Sequence, residues 1–262
     1  MGFRPAGSRP VAVAAFALAL ALSTGAACAA GQTAAQPASA ATAAKPAAPP
    51  AAADTTAQAA AAPAKPGDPT AGQSKAAACG ACHGMDGNST DPQYPKLAGQ
   101  SEQYIVHQLE LFKSGKRQNP IMQGMAAPLA EQDMHDIGAY FASQHVLPGV
   151  ADQALVADGE KLYREGDPGH GVPACMACHS IDGSGNPGAA YPQLTSQHAQ
   201  YIEARLKTWH DGGNAGGSDA HSQIMPMIAK RLDAHEIAAV ASYIEGLHAV
   251  DAAAAPPAAS AP

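Results

Sequence analysis

Cys79-Gly80-Ala81-Cys82-His83, and again Cys175-Met176-Ala177-Cys178-His179, are the two stretches on which the reading of this 262-residue chain turns. In each, two thiols stand about one helical turn apart and a histidine follows the second directly. The chain has five cysteines; these motifs use four, and the fifth, Cys28, lies in an N-terminal stretch of different character. What surrounds the first motif returns around the second. Tyr94-Pro95-Lys96-Leu97-Ala98-Gly99-Gln100 recurs as Tyr191-Pro192-Gln193-Leu194-Thr195-Ser196-Gln197, and Tyr104-Ile105 recurs as Tyr201-Ile202. Met122 precedes Leu129 by the same interval as Met225 precedes Leu232. Constant order, with spacing that changes only in Gly-rich or polar loops, means two copies of one small domain. His145–Asp152, with Pro148 and Gly149, is the expected connection.

C-x-x-C-H is the attachment signature of c-type haem. Two thiols one turn apart can each add to one haem vinyl group, and the next histidine then lies beneath the iron. Three other readings use the same residues. Each Cys pair can be a disulfide or a redox-active pair, but a thioredoxin-like motif wants a βαβ setting that this sequence lacks. Zinc needs four ligands, which here would come from two adjacent pairs and two histidines. Two motifs at one repeat position favour two covalently bound haem c groups, held by Cys79, Cys82, His83 and by Cys175, Cys178, His179.

An iron held by histidine needs a sixth ligand or stays open. Met122 and Met225 share a register and are expected in loops that fold back after a helix. Met125 and Met227 are near rivals out of register. Methionine as plain core filling is the bland alternative. His107, His135, His198, His221 and His235 keep two-histidine ligation open, although none pairs across the repeat; most are expected at the surface.

Each copy reads as helical. Ile105, Leu109 and Phe112 form one apolar helix face, and Ile202, Leu206 and Trp209 repeat it. Met134, Ile137 and Phe141 form another, matched by Ile237, Val240 and Ile244. Ser101 is a candidate N-cap for the first helix. No segment alternates with period two, so no strand is expected.

The remaining composition sets boundaries. Hydrophobic residues are 46% of the chain, but much of that is alanine in the tails, and aromatics are only 5%. A core so poor in large side chains gains from a cofactor with an apolar face. Residues 1–30 read as a signal peptide: Arg4 and Arg9, an uncharged run Val11–Leu22, then Ala27-Cys28-Ala29. The apolar run is short for a membrane span; an uncleaved anchor or a lipid on Cys28 is the alternative, which keeps peripheral membrane association open. Residues 31–66, almost wholly Ala, Pro, Gln, Thr and Ser, read as a disordered tether, and residues 251–262 as a disordered tail. That leaves one domain over 67–147 and a second over 148–250. Loss of residues 1–30, which carry two arginines and no acid, takes the formal charge from -7 to -9. Such a chain does not suit nucleic acid and does suit a partner with a basic docking patch.

Together, CGACHGMDGNS, YPKLAGQ and MQGMAAPL in the first half, and PACMACHS, YPQLTSQH and the final SYIEGLH in the second, resemble the two-domain cytochrome c4 family over residues 68–248. The resemblance implies an all-α fold of two tandem class I cytochrome c domains, with the haems edge to edge near the interdomain face. It implies the axial pairs His83/Met122 and His179/Met225, and carbonyls of Pro95 and Pro192 that orient the two histidines. Ile224-Met225-Pro226-Met227 departs from a family that often has Gly two after the ligand, so Met227 stays open beside Met225. The implied function is a periplasmic electron carrier between respiratory partners, such as a quinol-oxidising complex and a terminal oxidase or reductase, with no reaction of its own. The rivals are a cytochrome subunit of a dehydrogenase complex and a dihaem peroxidase, the latter needing one open iron and an acid–base residue.

Overall fold

The computed structural model describes residues 65–213 and 216–248, all within one compact unit spanning 58–262. The expected signal peptide and C-terminal tail, and the tether up to residue 64, lie outside the described residues. Ten α-helices are present among these residues, five in each half: α1 (Pro69–Lys75), α2 (Gly80–His83), α3 (Glu102–Lys113), α4 (Pro120–Ala126), α5 (Glu131–Ala142), then α6 (Val156–Glu165), α7 (Met176–His179), α8 (Ala199–His210), α9 (Ile224–Ala229) and α10 (Ala234–Gly246). There is no β-sheet among them, only the isolated bridges Asp167–Val172 and Asn186–Tyr191. The all-α, tandem reading therefore holds.

The helix starts follow from local chemistry. The Ser101 hydroxyl accepts from Tyr104 N–H at 3.3 Å and caps α3, as expected. Asn119 caps α4 with Pro120 in its first turn, and Asp68 does the same for α1 with Pro69. Asp233 and Glu236 form a reciprocal capping box on α10. Two further helices, α1 and α6, were not expected. Met122 and Met225 fall inside α4 and α9, not in loops, which corrects that expectation: Asn119–Pro120 starts a short helix ahead of Met122.

Each half has its own apolar cluster. In the first, Ile105, Leu109, Phe112, Met134, Ile137 and Phe141 are buried, with Cys79, Leu97, Met122 and Leu129 packed against them. In the second, Leu206, Ile237, Val240 and Ile244 are buried with Tyr163, and Cys175, Leu194, Trp209 and Met225 pack against them. Each cluster is thus closed by one motif cysteine and one in-register methionine.

The halves meet through a reciprocal set of hydrogen bonds. Gln100 accepts from Gln193 N–H (3.1 Å) and donates to the Gln193 carbonyl (3.1 Å). Gln197, its repeat equivalent, accepts from Lys96 N–H (2.8 Å) and donates to the Lys96 carbonyl (2.9 Å). Lys96 and Gln193 are themselves equivalent, so the seam is an approximate two-fold within one chain. Side-chain amides satisfy backbone groups that would otherwise be buried unpaired.

Candidate haem sites

The two motifs fold alike. Cys79 opens the turn α2, and His83 N–H donates to the Cys79 carbonyl at 3.0 Å; His179 and Cys175 repeat this at 3.0 Å in α7. That turn sets both thiols and the imidazole on one short helical segment. All four thiols are free of disulfides and half-buried. Burial pushes the Cys79 thiol up, and Cys175 up to about 11. Both therefore remain protonated near neutrality, unlike metal thiolates. No group of three or more His, Cys, Asp or Glu side chains converges among the described residues, so the ligand set that zinc needs is not assembled there.

The histidines are the best-defined groups. His83 is 7% exposed and His179 6%. His83 Nδ1 lies 2.8 Å from the Pro95 carbonyl, and His179 Nδ1 lies 3.0 Å from the Pro192 carbonyl. A carbonyl only accepts, so each Nδ1 carries the proton and each Nε2 presents a lone pair. Burial, opposed by that carbonyl, pulls both imidazoles below their ordinary value and keeps them neutral. Neutral, oriented and basic at Nε2 is what an axial ligand must be. The Tyr94 ring meets His83 edge-on at 6.2 Å between centroids, and Tyr191 stands 6.0 Å from His179.

Met122 and Met225 are half-buried against the two clusters. Their rivals differ: Met125 is half-buried but Met227 is 56% exposed. Four of the five spare histidines have partners, His221 among them with Nε2 3.2 Å from the Ala189 carbonyl. His135 Nδ1 is 2.6 Å from Glu102 and His235 Nε2 is 2.8 Å from Asp158. His198, expected at the surface with most of the others, is 9% exposed at the seam, with Nε2 2.8 Å from the Ser89 carbonyl. Its repeat partner is Ser101, so the repeat gave no hint of burial. Tyr104, Arg117 and Arg205, which gather near the seam, were not singled out for a role, although Tyr104 and Tyr201 already stood at one repeat position.

A family model described as Cytochrome c matches residues 69–145 and 156–248. Cytochrome c4 of Pseudomonas aeruginosa is 49% identical over 182 residues, covering 70% of this chain and 90% of that protein. The chain belongs to the cytochrome c4 family. The crystal structure of reduced recombinant cytochrome c4 from Pseudomonas stutzeri superposes with a TM-score of 0.67 at 46% identity, covering 70% of this chain and all of that one. A thiosulfate dehydrogenase electron acceptor of Thiomonas intermedia is 36% identical over 185 residues, covering 69% of this chain and 83% of that protein. The protein is accordingly a dihaem electron-transfer cytochrome, with two covalently bound haem c groups attached through the Cys79/Cys82 and Cys175/Cys178 motifs. Family members are electron carriers and not enzymes, so the peroxidase reading falls.

The residues present fit that cofactor on their own terms. Each half offers a pair of free thiols, one oriented imidazole lone pair, and an apolar cluster beside them. When bound, haem c supplies a one-electron couple; the chain supplies the ligands, the exclusion of water and the fixed geometry.

Proposed function

We propose that the protein is a periplasmic carrier whose irons are held by His83/Met122 and His179/Met225, with both axial positions filled. The observation that carries this is the pairing within each half. A buried histidine donates Nδ1–H to a proline carbonyl, and the half-buried methionine at the shared repeat position packs on the same apolar cluster as the first motif cysteine. Thioether ligation raises a haem's potential relative to two-histidine ligation, which suits a carrier on the oxidising side of a respiratory chain. The N-terminal stretch, which reads as a signal peptide, supports the periplasm. Excess acid on the chain supports docking to basic patches.

The donor we favour is a quinol-oxidising complex, with a terminal oxidase or reductase as acceptor. Similarity to the Thiomonas intermedia protein supports a second donor, a thiosulfate dehydrogenase. Stopped-flow mixing of the oxidised protein with each purified donor separates them. Rapid reduction by the quinol-oxidising complex, slowing as salt rises, is expected. Reduction by the thiosulfate dehydrogenase alone would transfer the protein to the second reading. Recovery of the haem-loaded protein in the cytoplasmic fraction would contradict the location.

A further inference from the structure

His198 stands at the seam with an acceptor on each side of its ring. Nε2 lies 2.8 Å from the Ser89 carbonyl of the first half, and Nδ1 lies 3.4 Å from the Glu245 carboxylate on α10. The repeat explains why this side chain is free to cross. Ser101, at the same repeat position, uses its hydroxyl to cap α3. At α8 that task falls to Glu245, whose other oxygen accepts from Ala199 N–H at 3.1 Å. A carboxylate suits a helix start. His198 is thereby released from capping and reaches the other half.

A neutral imidazole carries one N–H and one lone pair. Here a carbonyl faces one nitrogen and a carboxylate faces the other, and neither donates. A neutral ring would set a lone pair against one of them. Imidazolium, with two N–H groups, satisfies both. The other charged groups nearby leave this balance intact. Asp86 and Asp91 flank Ser89, but their carboxylates accept from the Asn88 amide and from Gln93 N–H. The Lys96 ammonium donates to the Leu147 carbonyl at 2.7 Å. Burial pulls that ammonium below its ordinary value, and the Glu245 charge opposes the change. Glu245 thus faces two cations, Lys96 from the first half and His198 from the second.

The partners of His198 belong to segments that join the halves. Beside Ser89, Asn88 accepts from Leu147 N–H (2.7 Å) and donates to the His145 carbonyl (2.9 Å). A Cβ on Gly149 would lie 2.5 Å from Glu245 Cγ, so the connection runs directly over that residue. We propose that His198 is a positioning residue for electron passage between the haems: as imidazolium it ties the Ser89 loop to Glu245 and holds the two halves in one relation. Each haem is bonded to the motif of one half, so the seam sets how far apart the two haems lie. The inference needs two haems per chain and is independent of their sixth ligands and of the redox partners.

The test uses the full haem-loaded chain. Nitrogen NMR of the isotope-labelled histidine rings, in the reduced protein near neutrality, should show both His198 nitrogens protonated. Glu245→Gln should return the ring to one proton. His198→Gln keeps a donor for Ser89 but loses the charge. In that variant amide exchange at Lys96, Leu147 and Gln193 should quicken about tenfold, as for the loss of one charge-assisted hydrogen bond. Redistribution of a flash-injected electron between the haems should slow while both haem potentials hold, which separates a change of geometry from a change of driving force. A singly protonated wild-type ring would overturn the proposal, and so would an unchanged redistribution rate in His198→Gln. If that variant fails to take up haem, the wild-type ring and the redistribution rate in Glu245→Gln decide in the same way.

Discussion

At the crossing of α1 with α5 in the first half, and of α6 with α10 in the second, a glycine lets two helix backbones touch. A Cβ on Gly72 would lie 1.9 Å from the Asp136 carbonyl oxygen, and one on Gly159 would lie 2.2 Å from the Ala239 carbonyl oxygen. Both would also press on a tyrosine, Tyr140 or Tyr243, at 2.7 Å from its Cβ. Asp136 and Ala239 are repeat equivalents, and there the likeness ends. Asp136 accepts from Asp68 N–H (2.9 Å) and Gln132 (3.0 Å) and pairs with Lys75, which also reaches Asp133 at 2.7 Å. The second half has a methyl group at that place and a fully buried Tyr163 instead, with the exposed pair His235–Asp158 and a hydrogen bond from Arg164 to the Tyr243 hydroxyl (3.2 Å) bridging the helices. One helix crossing is fastened by charge and the other by apolar contact. The same backbone geometry can thus respond differently to pH.

The largest effect should come from what the halves share. Gly72→Ala or Gly159→Ala forces the helices apart and should cost about 3 kcal/mol in either half, at the upper end for overpacking. Denaturant unfolding of the haem-loaded protein checks this. A cost below about 1 kcal/mol would mean that the crossing yields freely.

The next effect should divide the halves. The Asp68 amide, then Lys75, holds the Asp136 carboxyl down at about 2, against an ordinary 3.8. Its contribution is therefore complete above the ordinary value and is lost as pH falls from 3.8 towards 2. A shift of this size, on a side chain 5% exposed, is on the order of 2 kcal/mol. Asp136→Asn should remove a similar amount at neutral pH. Amide exchange should quicken in α1 across that acid range and stay slow in α6. Equal acceleration in both helices would erase the distinction.

The smallest effect concerns the residue after each haem histidine. Gly84 has φ 79° and ψ 146°, while its counterpart Ser180 has φ 69° and ψ 162°, a region that suits glycine. Ser180 is held there by its hydroxyl donating to Gly185 (2.7 Å) and by Tyr163 donating to its carbonyl (2.7 Å). Ser180→Gly should release strain of about 1 kcal/mol and lose one hydrogen bond, leaving a net gain below about 1 kcal/mol. A clear destabilisation would show that the hydroxyl matters more than the strain.

These contrasts mark where the sequence was legible. The repeated C-x-x-C-H, the Tyr-Pro-x-Leu segments and the apolar faces of α3, α5, α8 and α10 announce themselves through spacing. They gave the tandem all-α plan and marked the histidines and paired methionines proposed as ligands. The seam was not legible, because it uses side-chain amides of Gln100 and Gln197 on backbone groups, a role their residue type does not advertise. Burial of His198 escaped notice for a related reason, since it depends on a contact with the other half. Gly72 lets α1 approach α5 and Gly159 lets α6 approach α10, contacts with distant segments that a glycine in the sequence does not announce.

The most direct test of the account is a haem count per chain together with the far-red absorption of the oxidised protein, in the wild type and in Met122→Ala and Met225→Ala. The account predicts two haems per chain and an Fe–S(Met) band that falls by about half in each variant and vanishes when both are combined. Two haems with a band unaffected by Met225→Ala but lost in Met227→Ala would contradict the ligand assignment in the second half. A chain carrying fewer than two covalent haems would contradict the claim that both halves are working copies of one site.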